Sequence, residues 1–119
     1  MDHGIKEILL TDEVVDAIDD HIDFAEEHIE LAREYLHHPE MSAMFAKHAE
    51  MQLGMAEEKA RIKHMHIERH KAQHATNPCC KHAHDLWCVK HPELCKNIDE
   101  AKFKLSEHKK RSMGGGNPY

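Results

Sequence analysis

The 119-residue sequence has the length of one domain, and its composition is that of a helical protein. Only 5% of its residues are aromatic and no stretch alternates apolar with polar residues, which predicts an all-α fold. No apolar run approaches the roughly 18 residues that span a bilayer, so a membrane partner is not expected. The start of the chain lacks the features of a signal peptide, so we expect a cytoplasmic protein or one within a virus particle.

The net charge of −6 is unevenly distributed. Residues 1–58 carry 3 basic and 16 acidic side chains, whereas residues 59–119 carry 13 basic and 6 acidic side chains. Opposite charges favour packing of one half of the chain on the other, or contact between copies, as in a homo-oligomer or a larger assembly. The basic half lacks interleaved aromatic residues, which argues against a nucleic-acid partner.

The first long helix is predicted to begin after an N-cap at Thr11 and to end near Leu36. Its apolar residues alternate in steps of three and four, the spacing of a helix that packs on a partner. They are Val15, Ile18, Ile22, Ala25, Ile29, Ala32 and Leu36. His21, His28 and Tyr35 form a polar stripe that the same periodicity places inside the apolar arc.

A second helix is predicted from about Glu40 to Ala75, after a turn at Pro39. One inward column is rich in methionine: Met41, Met44, His48, Met51, Met55, Glu58, Ile62 and Met65. The other is small: Ala46, Ala49, Leu53, Ala56, Ala60 and Ile67. A helix that buries two stripes needs two neighbours, which predicts an antiparallel bundle of three or four helices.

Two shorter helices are predicted at 78–90 and 92–111, with Pro92 beginning the second. The expected organisation is a single domain over 1–111, built on a hairpin at 11–75 and a helical pair at 78–111. A glycine-rich tail follows at 112–119.

Fourteen histidines and seven methionines point to nitrogen and sulfur ligands for a transition metal. Residues at equal distances before and after the turn at Pro39 lie side by side in a helical hairpin. This places His28 beside His48, and His21 near Met55 and Glu58. The candidate bundle-core set is His21, His28, His48, Met51, Met55 and Glu58. Imidazole with thioether would suit copper, and imidazole with carboxylate would suit zinc or iron. The alternative is core filling by methionine with hydrogen-bonded histidines.

A second candidate metal site lies on one helical face nearer the end of the chain. Its residues are Cys80, His84, Cys88, His91 and Cys95. His84 with Cys88, and His91 with Cys95, are four residues apart and so suit one zinc or copper ion. The alternatives are buried free thiols or, in an oxidising compartment, disulfides.

The segment from Phe24 to Tyr35 (FAEEHIELAREY), the turn at Pro39 and the stretch from Ala49 to Glu58 resemble the first hairpin of short rubrerythrin-like proteins. Leu86-Trp87 and Glu100-Ala101-Lys102 are similar to parts of the second half. These proteins belong to the ferritin-like superfamily and occur in phage as well as bacterial genomes. The resemblance implies a helical bundle with a carboxylate-bridged di-iron site.

The chain departs from that family at the iron ligands. Its only Glu-x-x-His is Glu34 to His37, at a helix end, and His21 occupies the position of the first-helix glutamate. The second helix has MQLGM at 51–55 where the family has its glutamates and histidine. The residues therefore favour zinc or copper over di-iron.

Three functions are compatible with these patterns. The first is a non-catalytic metal-binding bundle that uses histidine with cysteine or methionine. The second is a structural subunit of a larger assembly, such as a virus particle, without a metal. The third is a degenerate ferritin-like redox protein, and no catalytic residues are assigned.

Overall fold

The structure, a computed structural model, describes the backbone of residues 12–74 and 78–116, and side chains over 13–73 and 84–111. It consists of three helices: α1 (Asp12–Glu34), α2 (Pro39–His74) and α3 (Pro78–Gly116). No strand occurs in these ranges, which confirms the all-α fold class. None of the three helices combines the length and the apolar character needed to cross a bilayer.

Helix α1 buries the predicted seam. Ile18, Ile22, Ala25, Ile29 and Ala32 are at most 3% exposed, whereas the two ends of the seam, Val15 and Leu36, are half-buried and exposed. The helix ends at Glu34, before the predicted end, and the backbone turns through His38–Tyr35 and Leu36–Arg33 hydrogen bonds. Pro39 then begins α2, at a position where the missing N–H has no helical acceptor.

Helix α2 buries one of its two predicted stripes. The small column is buried as predicted, but the methionine-rich column is exposed, with Met51 57% accessible. The prediction that both columns face inward is therefore wrong. Helices α1 and α3 both pack against the small-residue side, because alanine lets neighbouring helices approach closely, and no described helix covers the other side.

The predicted helical pair at 78–111 is instead one helix, α3, which also extends into the predicted tail as far as Gly116. Pro92 lies inside it. A proline in a helix interior costs about 3 kcal/mol. Trp87, Leu94 and Ile98 are buried on both sides of Pro92, and burial of side chains of this size contributes about 1.5–3 kcal/mol each. Continued burial on one face therefore offsets the cost.

The buried side chains form two clusters, one at each end of the molecule. The cluster near the α1–α2 turn is rich in alanine and includes Ile29, Leu53 and Leu105. The other contains larger side chains, among them Ile18, Trp87 and Leu94. Small side chains let the three helices pack at the alanine-rich end, whereas Trp87 fills the interface at the other end.

The basic third helix packs on the acidic first helix and on the acidic first half of the second. Lys104 pairs with Glu26 at 3.0 Å, Lys109 with Glu50 at 2.7 Å, and Lys102 with Glu57. Packing of one half of the chain on the other, predicted from the charge distribution, is thus confirmed within the chain. These pairs are partly exposed, so each contributes about 0–1 kcal/mol.

Candidate metal centre

Histidines from α2 and α3 face each other in two pairs. The rings of His64 and His91 are stacked, with centroids 4.1 Å apart and planes within 11°. His70 Nδ1 lies 2.9 Å from His84 Nε2, and His84 is 4% exposed. The two pairs are six residues apart along α2 and seven apart along α3.

The His91 ring contacts two other rings, those of His64 and Trp87, whose own centroids are 6.4 Å apart. His64 stacks on it, and the Trp87 ring lies 5.0 Å away at an angle of 27°. Trp87 is 3% exposed, and its Nε1–H donates a hydrogen bond to His64 Nδ1 at 3.1 Å. This arrangement fixes the orientation of His91 before any ligand binds.

The hydrogen bond from Trp87 also fixes the tautomer of His64. An indole N–H can only donate, so His64 Nδ1 accepts and a neutral ring carries its proton on Nε2. That nitrogen faces Glu68 Oε1 at 3.9 Å. His64 therefore positions His91 and, in this orientation, has no lone pair to offer a metal.

His91 and Cys95 bring two metal-ligating atoms together. His91 Nε2 lies 3.4 Å from Cys95 Sγ, one helical turn further along α3. Bond lengths of about 2.3 Å for Zn–S and 2.0–2.1 Å for Zn–N, at a tetrahedral angle, place S and N about 3.6 Å apart. The predicted pairing of these two residues is present, at a separation close to that of a shared zinc ion.

Burial shifts the pKa values of His91 and Cys95 in opposite directions. Burial lowers the pKa of His91, and the neighbouring His64 lowers it further. Burial raises the pKa of the Cys95 thiol, and Asp99 and Glu57 add to the effect. In the absence of an ion, a neutral imidazole thus faces a protonated thiol.

A cleft of about 370 Å³ opens beside this pair, and its lining includes Glu57, His64, His91, Cys95 and Asp99. Asp99 follows Cys95 by four residues and therefore lies on the same side of α3. Within residues 13–73 and 84–111, however, no three histidine, cysteine or acidic side chains are already gathered as a metal-binding group. A bound ion would need at least one further ligand, drawn from an acidic side chain of the cleft or from water.

The rest of the predicted cysteine–histidine face is divided between different neighbours. His84 is buried against His70, whereas Cys88 is exposed and its Sγ lies 3.9 Å from Lys71 Nζ. Cys88 and Cys95 are free thiols. The side chain of Cys80 lies outside the described residues. The prediction that His84 and Cys88 form a second ligand pair is therefore not reproduced.

The predicted bundle-core set is not brought together. Met51, Met55 and Glu58 are exposed, as is His48, because they lie on the uncovered side of α2. The rings of His28 and His48 lie 5.8 Å apart, as the level count predicted. The prediction of a buried metal site among these residues is wrong because its α2 members face outward.

His21 and His28 are half-buried and have ordinary hydrogen-bond partners. His21 Nδ1 lies 2.6 Å from Gln52 Oε1, and its Nε2 accepts from Lys59 Nζ at 2.8 Å. His28 Nδ1 donates to the carbonyl of Phe24 at 2.9 Å. Both histidines are thus engaged as structural polar groups at the edge of the α1–α2 interface.

Sequence reasoning missed His64, His70 and Trp87 as partners in the α2–α3 interface. The count of residues on either side of a turn, which places His28 beside His48, applies equally to α2 and α3. Counted about residue 77, it pairs His70 with His84 and His64 with His91. The signal was present in the spacing of the histidines.

Comparison with protein-family models, with curated proteins and with solved structures finds no match to this chain. The rubrerythrin-like resemblance stays a prediction, and functional inference depends on the geometry of the site.

Proposed function

We propose that this protein is a non-catalytic helical-bundle protein that binds a zinc or copper ion between α2 and α3. The observation that carries the proposal is the placement of His91 Nε2 3.4 Å from Cys95 Sγ, at the edge of a cleft with Asp99. One imidazole and one thiolate, supplemented by a carboxylate or water, form a donor set that suits zinc, and copper also accepts nitrogen with sulfur.

The ring stack supports this proposal because it fixes the ligand in advance. His91 stacks on both His64 and Trp87, so the orientation of its ring is set before the ion binds. Neighbouring groups that orient a ligating histidine typically contribute 10- to 100-fold in metal affinity. In this arrangement His64 and Trp87 are positioning residues, and His91 and Cys95 are the ligands.

Binding also has a proton balance. The ion bonds to the lone pair of the neutral His91 ring and displaces the proton of the Cys95 thiol, which passes to solvent. One proton is released for each ion bound through this cysteine.

The scaffold of this site is an antiparallel three-helix bundle in our proposal. Support comes from side-chain contacts between α1 and α2: His21 contacts Gln52 and Lys59, His28 contacts His48, and Tyr35 contacts Phe45. As the residue number rises along α1, the residue number of the contact on α2 falls, which is the pattern of two helices that run in opposite directions.

The experiment is a calorimetric titration of the untagged full-length chain with Zn²⁺ and, anaerobically, with Cu⁺. We expect at least one of the two ions to bind with a stoichiometry near one. His91→Ala and Cys95→Ser should each weaken binding of that ion at least about 100-fold, more than the loss of an orienting group. Trp87→Phe keeps an apolar ring but removes the N–H that orients His64, and we expect a smaller loss.

Cys88→Ser is the matched control, because Cys88 is a free, exposed thiol on the same helix and contacts Lys71 rather than a histidine. It should bind the metal as the unaltered chain does. Equal affinity of Cys95→Ser and the unaltered chain for both ions, with circular dichroism showing that both are folded, would contradict the proposal.

A second function, that of a structural subunit in an assembly, is favoured by a different observation. The methionine-rich column of α2 is exposed, and no described helix covers it. Large apolar surfaces on isolated chains commonly mark protein–protein contacts. A chain that stays monomeric at high concentration would contradict this second function and leave the metal proposal untouched.

A further inference from the structure

The exposed side of α2 carries a regular apolar stripe, here called the methionine face. Its members are Met41, Met44, His48, Met51, Met55, Glu58, Ile62 and Met65. The six apolar side chains among them are 39–57% exposed. Their spacing of three and four residues is that of a coiled-coil seam, and the stripe is about 36 Å long at 1.5 Å per residue. The face is therefore built to receive another helix.

The order of residues along the methionine face is the same in both directions. Met51 and Met55 lie two residues on either side of Leu53, and Met41 and Met65 lie twelve residues on either side. Met44 and Ile62 occupy equivalent positions nine residues away. When two copies of α2 run in opposite directions about this level, every apolar residue therefore meets an apolar residue.

The polar residues obey the same symmetry. His48 and Glu58 are the only polar members of the methionine face, and each lies five residues from Leu53. In an antiparallel pair His48 of one copy lies level with Glu58 of the other, twice per dimer. Within one chain Glu58 pairs with Arg61 at 2.5 Å, and it lies about 15 Å along the helix from His48. The face is thus complementary to itself in hydrogen-bonding groups, with an imidazole opposite a carboxylate, as well as in apolarity.

Gly54 lies beside the centre of this symmetry. A glycine in a helix interior costs about 0.5–1 kcal/mol relative to alanine, and within this chain an added Cβ there would meet nothing within 4 Å. Met51, Gly54, Met55 and Glu58 line a shallow groove of about 410 Å³ at this point. A missing side chain at the centre of the stripe lets a crossing helix come close to the backbone, a use that the isolated chain does not have.

We propose that two copies of this chain associate through the methionine face as an antiparallel, two-fold symmetric dimer centred at the level of Leu53. Each copy presents the same surface, as a two-fold interface requires. The proposal depends on the exposed face of α2 and not on the metal site, which lies on the side of α2 that faces α3.

The first test measures the mass of the untagged full-length chain by analytical ultracentrifugation between about 1 and 100 µM, a range that covers typical dissociation constants of modest dimers. A chelator is present, so that a metal ion cannot bridge two chains. We expect a reversible equilibrium between the 13.8 kDa chain and its dimer. A chain that stays monomeric throughout this range overturns the proposal.

Variants then locate the interface. Met51→Glu combined with Met55→Glu places four carboxylates around the two-fold axis and should weaken the dimer at least about 100-fold, since like charges repel at short range. Val89→Glu is the matched control, because Val89 is a 75% exposed apolar residue on α3, and it should change the dissociation constant less than about twofold. A dimer that survives the double substitution overturns the proposal.

A charge swap tests the orientation of the two helices. His48→Glu should weaken the dimer about tenfold because it places a carboxylate opposite Glu58 of the other copy. Adding Glu58→His in the same chain restores a histidine opposite each glutamate, and the affinity should recover to within about threefold. His48 and Glu58 are both exposed in the folded chain, so we expect the substitutions to leave folding unaffected. Failure of the double swap to recover overturns the antiparallel arrangement.

Discussion

A hydrogen-bonded junction near the α1–α2 turn joins the three helices through two buried polar side chains. Ser42 is 1% exposed, and its hydroxyl donates to the carbonyl of Ala32 at 2.7 Å. His108 Nε2 lies 3.1 Å from Ser42 Oγ. The Ser42 hydroxyl uses its single hydrogen in the bond to Ala32, so it can only accept from the histidine, and His108 donates through Nε2–H. The serine is thus a structural residue, and its proton is not available for nucleophilic chemistry at a histidine.

Stability at this junction should depend on pH. Burial, assisted by Arg33 and Arg111, lowers the pKa of His108, so the folded chain holds a neutral ring. In the unfolded chain the ring titrates near its ordinary value of 6.5. Between the two pKa values the unfolded state binds more protons than the folded state. The free energy of unfolding is therefore highest above pH 6.5, and it decreases as the pH falls from 6.5 through the lower pKa of the folded state.

His108→Gln tests this prediction, because glutamine keeps an N–H donor but does not titrate. Urea denaturation at several pH values should show a smaller loss of stability between pH 7 and pH 5 for the variant than for the unaltered chain. Identical pH profiles would show that His108 is not a source of the dependence.

Among the elements, α3 differs most from what its sequence predicts. Proline favours the first turn of a helix, so the sequence predicts that Pro92 begins a new one. The deciding quantity is burial on both sides of Pro92, which depends on where α1 and α2 lie and cannot be read from local sequence. The same limit applies to α2, where two apolar columns were visible and tertiary packing covered one.

Replacing Pro92 should stabilise α3. In Pro92→Ala an N–H becomes available to donate to the carbonyl four residues earlier, and the steric clash of the proline ring is removed. We expect the free energy of unfolding to rise by about 1–3 kcal/mol, as measured by urea denaturation. A decrease would mean that a bend at Pro92 is required for packing on α1 and α2.

By contrast, α1 could be predicted almost residue by residue. Its acidic residues and its apolar seam occupy opposite sides, so only one packing is compatible with the sequence. At the candidate site the sequence predicted that His91 and Cys95 would lie together, since they share a helical turn. Trp87 lies one turn before His91 on the same helix, so periodicity gives that contact, whereas His64 follows only from the alignment of α2 with α3.

At the scale of the whole molecule, charge joins the helices. The acidic α1 and the acidic first half of α2 receive lysines from α3, and Lys104 with Glu26 is a half-buried example at 3.0 Å. No helix within residues 12–74 and 78–116, however, covers the methionine face of α2. Ion pairs therefore satisfy the charge pattern within one chain, while the methionine face is left for the second copy that we propose.

A double-mutant cycle on Lys104→Ala and Glu26→Ala measures the contribution of such a pair. We expect a coupling free energy of about 0.2–1 kcal/mol that decreases as salt is added, because the pair is partly exposed. A coupling of zero at low salt would show that the pair does not contribute to the packing of α3 on α1.

The central claim, that His91 and Cys95 hold a metal ion, is tested most directly by X-ray absorption spectroscopy of the zinc-loaded, untagged chain. The account predicts a first shell with one sulfur at about 2.3 Å and nitrogen or oxygen at about 2.0–2.1 Å. In Cys95→Ser the sulfur contribution should disappear, while in Cys88→Ser it should persist. A first shell without sulfur in the unaltered chain, or one that Cys95→Ser leaves unchanged, would contradict it.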